Sequence, residues 1–226
     1  MAPAGTLWTV PYQTSGKIIR SAAALGGVEI TIPTDYEHRV DNLKPEFKAK
    51  FPHGKIPAWE GSNGFKLFEG FAIARYISSL APNSGLLGAT AEDAALIHQW
   101  IHLADFEVDN SVTSIRGICL GMVPYSKAMH TTLNERLART LETLEKHLSK
   151  CTFLVGERIT LADIYVAVIV HKGLGEVIDP ALRPKLTNLI RHTETIANQP
   201  KLKEIFGELT FAQKAIQFTP PAKEKK

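Results

Sequence analysis

Gly54-Lys-Ile-Pro-Ala-Trp-Glu-Gly-Ser-Asn-Gly-Phe-Lys-Leu-Phe-Glu-Gly-Phe-Ala-Ile-Ala-Arg-Tyr-Ile77 changes its period part-way, and that change decides the fold. Ile56-Pro57-Ala58-Trp59 and Phe65-Lys66-Leu67-Phe68 are short apolar runs separated by Gly61-Ser62-Asn63-Gly64, a hairpin signal. After Glu69 the apolar residues Phe71, Ile73, Ala74, Ile77 and Leu80 fall at helical spacing, and Pro82 stops the run. Pro57 stands where a strand should start, so its missing N–H marks an edge or a turn, with a cis bond as one possibility. Glu69-Gly70 opens the helix, where free N–H groups and the helix dipole attract a carboxylate. On these residues alone the competing reading is an ordinary capped helix after a hairpin.

Upstream, 6–10 reads as a first strand ended by Pro11. The spacing of Ile18, Ile19, Ala22 and Ala23 predicts a helix over 15–25, stopped by Gly26-Gly27. Residues 28–32 alternate as a strand, and strand–helix–strand implies a parallel pair with a right-handed crossover. A short helix over 45–50 precedes the hairpin, giving the order βαβ, α, ββα up to about Pro82. Downstream, 83–88 reads as a linker and strand signals stop. Long helical stretches follow over 91–119 and 127–148. In the second, Leu133, Leu137, Leu141, Leu144 and Leu148 make one apolar stripe, with Glu135/Arg139 and Glu142/Lys146 on the other face.

The 226 residues suit one large or two small domains, and 44% hydrophobic with 22% charged residues is a globular balance. No apolar run reaches the length of a membrane span and no signal peptide opens the chain, so a membrane partner is not expected. Two distant cysteines, Cys119 and Cys151, point to a reduced, cytoplasmic setting. Of the net charge of +3, Lys223-Glu224-Lys225-Lys226 contributes +2, so the body carries no basic footprint for nucleic acid. His98 and His102 stand at i,i+4 with Asp105 and Glu107 beyond. No third ligand has convincing spacing, and no metal site is expected.

A second signal lies in Leu154-Val-Gly-Glu-Arg-Ile-Thr-Leu-Ala-Asp-Ile164. Thr160 fits a helix N-cap, Asp163 the third helical position of a capping box, and Ile159 with Ile164 the flanking staple. Thr160 and Asp163 are read as structural residues.

Lys-Ile-Pro-Ala, a hairpin, then Phe-Glu-x-x-Ala-Ile-x-x-Tyr resembles the glutathione-site segment of glutathione transferases. Across nearly the whole chain, these motifs with Asn198-Gln-Pro and the Pro220-Pro-Ala-Lys-Glu-Lys-Lys tail are similar to the N-terminal domain of elongation factor 1 gamma subunits. The resemblance implies an α+β fold: a thioredoxin-like βαβαββα domain (1–82), a linker (83–88), an all-helical domain (89–218) and a Lys/Pro-rich tail (219–226). In the gamma subunits such a tail leads to a second domain, so the sequence reads as a truncated piece or a short relative. The resemblance further implies a homodimer that holds the nucleotide-exchange subunit in translation elongation; the alternative is an active transferase conjugating glutathione to electrophiles.

For glutathione, as ligand or co-substrate, the resemblance implies a pocket at Lys55, Ile56, Pro57, Glu69 and Gly70. The Ile56 backbone would meet the cysteinyl part beside a cis proline, and the Glu69-Gly70 helix start would hold the glutamyl end. The family has Glu-Ser there, so the serine hydroxyl is missing. The family's catalytic Ser, Cys or Tyr follows the first strand, where this chain has Tyr12, Gln13, Thr14 and Ser15. In serine-using classes the equivalent position is Gln13, and Thr14 or Ser15 also fits an N-cap of the first helix.

Overall fold

A computed structural model describes residues 2–219 of the chain. Strands β1 (Gly5–Trp8), β2 (Ala58–Gly61) and β3 (Lys66–Phe68) pair antiparallel in the order β1-β2-β3. Trp59 faces Leu67 across the hairpin, and the turn ends at Gly64, whose φ of +80° suits glycine. Helix α1 (Thr14–Gly26) stops at Gly27 in the left-handed conformation, its N–H returned to carbonyls of the last turn. Helices α2 (Pro45–Lys50) and α3 (Gly70–Ser79) complete the layer.

Two expectations need correction. The strand expected over 28–32 contracts to a single parallel bridge, Thr6 with Thr31. Three bonds hold it: Ala4 N–H to Glu29, Thr31 N–H to Gly5 and Leu7 N–H to Thr31, each 2.8–2.9 Å. The next donor in a parallel ladder is the amide of residue 33, and Pro33 has none. Nor does Thr14 or Ser15 cap α1. The N-cap is Gln13, in extended conformation and without a side-chain cap bond, so both hydroxyl residues lie inside the first turn.

The C-terminal half is helical: α4 (Ala91–Leu103), a π-helical stretch (Ala104–Asp109), α5 (Asn110–Cys119), α6 (Lys127–Leu148), α7 (Leu161–Glu176), α8 (Thr187–Ala197) and α9 (Lys203–Phe206). Thr90 and Asp93 form a capping box on α4, and Ser126 accepts the Met129 N–H at the start of α6. The leucine stripe of α6 is buried, and every residue of α7 from 161 to 170 is buried, so α7 is the axis of this half. The π-helical stretch widens the helix as it passes α6 and α7. Glu107 meets Arg136 there, and Asp109 meets Lys172 at 2.8 Å.

At the start of α7 the Asp163 carboxylate, fully buried, accepts from the N–H groups of Leu154 and Thr160 and from the Thr160 hydroxyl, each at 2.8 Å. The His192 Nε2 of α8 stands 2.9 Å from the same carboxylate. Glu145 of α6 reaches the N-terminus of α8, taking the Asn188 and Leu189 N–H groups.

One apolar core runs through both halves, from Leu7, Ile18 and Ile77 to Trp100, Leu137 and Val168. The two halves therefore bury their apolar faces against each other, with α1 packed between α3 and α7. A smaller cluster of Phe47, Phe51 and Ala58 lies under Trp8 and Ile56. After α9 the chain runs extended along α7: Ala212 N–H meets Leu174 and Ile216 N–H meets Glu176, both at 2.9 Å. Residues 220–226, and with them most of the Lys/Pro-rich tail, lie outside the described residues. Among the described residues no helix is long and apolar enough to cross a membrane.

Candidate functional site

The loop after β1, the turn before β2 and the start of α3 converge at one edge of the small sheet. The Ile56–Pro57 bond is cis. Asn42, itself buried, donates to the Gly54 carbonyl at 2.7 Å and accepts from the Arg39 N–H at 2.6 Å, which fixes the approach to Lys55-Ile56-Pro57. The Ile56 N–H has no partner among the described residues. Its carbonyl does have one: the Gln13 side-chain amide donates to it at 2.6 Å. The Thr9 hydroxyl in turn donates to the Gln13 amide oxygen at 2.8 Å. Gly16 makes room for this chain of bonds, because a side chain there would collide with the Thr9 hydroxyl.

The start of α3 lies against Ser15 and Pro57. Ile73 N–H is bonded to the Glu69 carbonyl at 3.0 Å, which leaves the N–H groups of 70–72 open at the helix's positive end. Glu69 is the N-cap, exposed, and held at φ +74° and ψ +119°, a conformation that costs a non-glycine residue on the order of 1–3 kcal/mol. Gly70 lies against α1: a Cβ on it would come within 2.7 Å of the Ser15 Cβ and 2.9 Å of its hydroxyl oxygen. A serine at position 70 would therefore displace Ser15, and the Ser15 hydroxyl already stands beside the helix start.

The sequence candidates thus separate. Gln13 is bonded on both sides, and Ser15 is turned towards α3. Tyr12, 75% exposed, stands between two hollows. The smaller, about 320 Å³, is lined by Val10, Gln13, His38, Lys55 and Ile56 as well as Tyr12. The larger is a cleft of about 1200 Å³ between α1 and the helical half, with Thr14 on its wall. Gly70 lies against Ser15 and Pro57, while Lys55 and Ile56 line the smaller hollow, which Pro57, Glu69 and Gly70 do not.

Two family models match the chain: "Glutathione S-transferase, N-terminal domain" over residues 3–79 and "Glutathione S-transferase, C-terminal domain" over 95–200. The glutathione S-transferase-like protein LUC7 of Fusarium is 38% identical over 210 residues, 92% of this chain and 94% of that protein. The chain belongs to the glutathione S-transferase family. It is also 37% identical over 218 residues to elongation factor 1-gamma of Rattus norvegicus, matching 95% of this chain but 49% of that protein. The chain therefore spans about half the length of these elongation-factor relatives. Among solved structures, the GST-like domain of elongation factor 1-gamma from Saccharomyces cerevisiae superposes with a TM-score of 0.82 at 24% identity. That match covers 96% of this chain and 99% of the domain.

Glutathione carries two carboxylates, an ammonium and a peptide backbone, and the edge supplies a partner of the right kind for several of these. The Ile56 N–H is open for a peptide carbonyl, the first turn of α3 for a carboxylate, and the Glu69 carboxylate for an ammonium. The side chain bonded to Ile56 is the Gln13 amide, and the one hydroxyl on the same hollow is the exposed phenol of Tyr12. Cys119 and Cys151 lie elsewhere, and burial pushes both thiols up, away from the thiolate form. Among the described residues no group of His, Cys, Asp and Glu can hold a metal ion.

Three pairings are not foreseen in the sequence, and one of them brings in a residue not named there, His192. The Gln13–Ile56 bond joins residues 43 apart, and the Ser15–Gly70 fit joins 55-residue neighbours in space only. His192 reaches Asp163 across 29 residues. None of these pairings leaves a local pattern. The one available hint was glycine at 70 where the family has serine.

Proposed function

We propose that the chain is a glutathione-binding scaffold domain of the elongation factor 1-gamma type, which holds a nucleotide-exchange subunit and conjugates glutathione slowly if at all. The observation that carries the reading is the Gln13 amide bonded to the Ile56 carbonyl at 2.6 Å. In a working transferase a hydroxyl or thiol donates to the thiolate at this point. Here the side chain is an amide already engaged with the wall of the pocket, so a thiol bound there gains little help in ionising. The binding groups at Ile56, Glu69 and Gly70 do not depend on that donor.

The 37% identity to elongation factor 1-gamma along 95% of the chain supports the partner. The test is co-sedimentation of purified protein with the catalytic exchange subunit of elongation factor 1. A stoichiometric complex supports the scaffold, whereas two separate peaks at micromolar concentration contradict it. The second reading, a stand-alone transferase, is favoured by the match along 94% of the Fusarium GST-like protein. A robust conjugation rate combined with no complex would select it.

A further inference from the structure

Residues 207–218 leave α9 as an extended strap, and side chains from the body of the protein hold it by its carbonyls. Lys17 of α1 donates to the Phe206 carbonyl at 2.9 Å, where the strap begins. Arg183 donates to the Ala212 carbonyl and lays its guanidinium over the Phe211 ring, 5.3 Å from the centroid. The Cys119 thiol reaches the Ile216 carbonyl at 3.6 Å, and Phe218 stacks on Tyr125 with centroids 4.2 Å apart. Between these anchors the strap's own N–H groups at Ala212 and Ile216 bond to α7.

The near end of the strap sits on a histidine. His171 of α7 stands edge-on to Phe206, centroids 5.7 Å apart, and the Glu208 carbonyl faces its ring. The His171 Nε2 is buried and has no hydrogen-bond partner among the described residues. From α1 the charge that bears on the ring is Lys17, and Arg20 one turn on adds to the positive field there. The α7 charges beside His171 are engaged elsewhere, Lys172 with Asp109 and Glu176 with Arg116. No carboxylate among the described residues offsets the Lys17 charge at the ring.

A neutral ring suits this junction. Protonated, it would carry an N–H at Nε2 without an acceptor and a positive charge beside Lys17, both shielded from water. Lifting the near end of the strap exposes the ring to water and frees Lys17 from the Phe206 carbonyl. The opened form therefore takes up the proton more readily than the closed one, and acid favours opening. We propose that residues 207–212 form an acid-released strap, with His171 as the switch and Lys17 as the charge that drives it. The far end stays seated, because its anchors at Ile216 and Phe218 do not involve His171. The device rests on neither glutathione binding nor the exchange subunit.

The test is amide hydrogen exchange of the full chain at pH 7.5 and 5.5, each rate corrected for its intrinsic pH dependence. The Ala212 amide, bonded to Leu174, should lose protection on acidification by up to about tenfold. That is the most one group with an ordinary value of 6.5 can drive over the interval. The Ile216 amide and the middle of α7 should change far less. His171→Gln should abolish the response at Ala212; if that variant does not fold, His171→Asn takes its place. Lys17→Met should loosen Ala212 already at pH 7.5, by losing the Phe206 bond, and should shrink the response to acid. No loss at Ala212 in the wild type would overturn the strap, as would a response that survives replacement of His171. Equal losses at Ala212 and in the middle of α7 would also overturn it, because the whole fold would then be opening. A response of full size in Lys17→Met would overturn the part given to that charge.

Discussion

Before any ligand arrives, Gln13 holds the Ile56 carbonyl and is itself held by the Thr9 hydroxyl. Replacing it with serine removes that engagement and puts a hydroxyl where α1 begins, near the helix's positive end. Gln13→Ser should raise the conjugation rate with 1-chloro-2,4-dinitrobenzene about ten- to a hundredfold, the worth of one hydrogen bond to a charged group. An unchanged rate with glutathione binding intact would show that the Gln13 amide is not what limits catalysis. Glu69 gives the complementary case. Its backbone is held at φ +74°, which glycine tolerates. Glu69→Gly should therefore stabilise the fold by about 1 kcal/mol in chemical denaturation. The same variant should lose glutathione binding, because the acceptor for the glutamyl ammonium is gone. A variant that is less stable than the wild type would mean that the backbone there is not strained.

At the scale of elements, the start of α7 concentrates more polar contacts than its capping motif suggests. Thr160→Ala should cost about 0.5–2 kcal/mol, the usual loss of a cap. Asp163→Ala should cost more than about 3 kcal/mol, because it strands the Leu154 and Thr160 N–H groups and the fully buried His192 together. Urea denaturation of the two variants ranks them, and a smaller loss for Asp163→Ala would contradict the cluster. Further along α7, His171 has its affinity for protons lowered by burial and then by the Lys17 charge, against a Glu208 carbonyl that raises it. Its folded value lies below the ordinary 6.5, so the unfolded chain takes up the proton first on acidification. The stability that His171 contributes is thus present above about pH 6.5 and lost as pH falls below it. Between pH 7.5 and 5.5 the wild type should lose more stability than His171→Gln; parallel losses would show that His171 is not shifted.

Across the whole molecule, what the sequence made legible was local periodicity and punctuation. The switch at Glu69, the glycine stop after α1 and the leucine stripe of α6 are all set by neighbours within a few residues, and the structure shows each. Where the reading went astray, the cause was a distant or missing partner. Pro33 denies the second strand its next bond, and Gln13 is recruited by a carbonyl 43 residues away. The residues of the proposed site could be named from the sequence, while the bond that engages Gln13 could not. On the proposed function, this pocket holds glutathione without ionising it. Titrating the protein with glutathione at pH 7, with binding heat and thiolate absorbance near 240 nm recorded together, tests it most directly. Saturable heat with no growth of the thiolate band is the expected result. No saturable heat, or a thiolate band rising with occupancy, would contradict it.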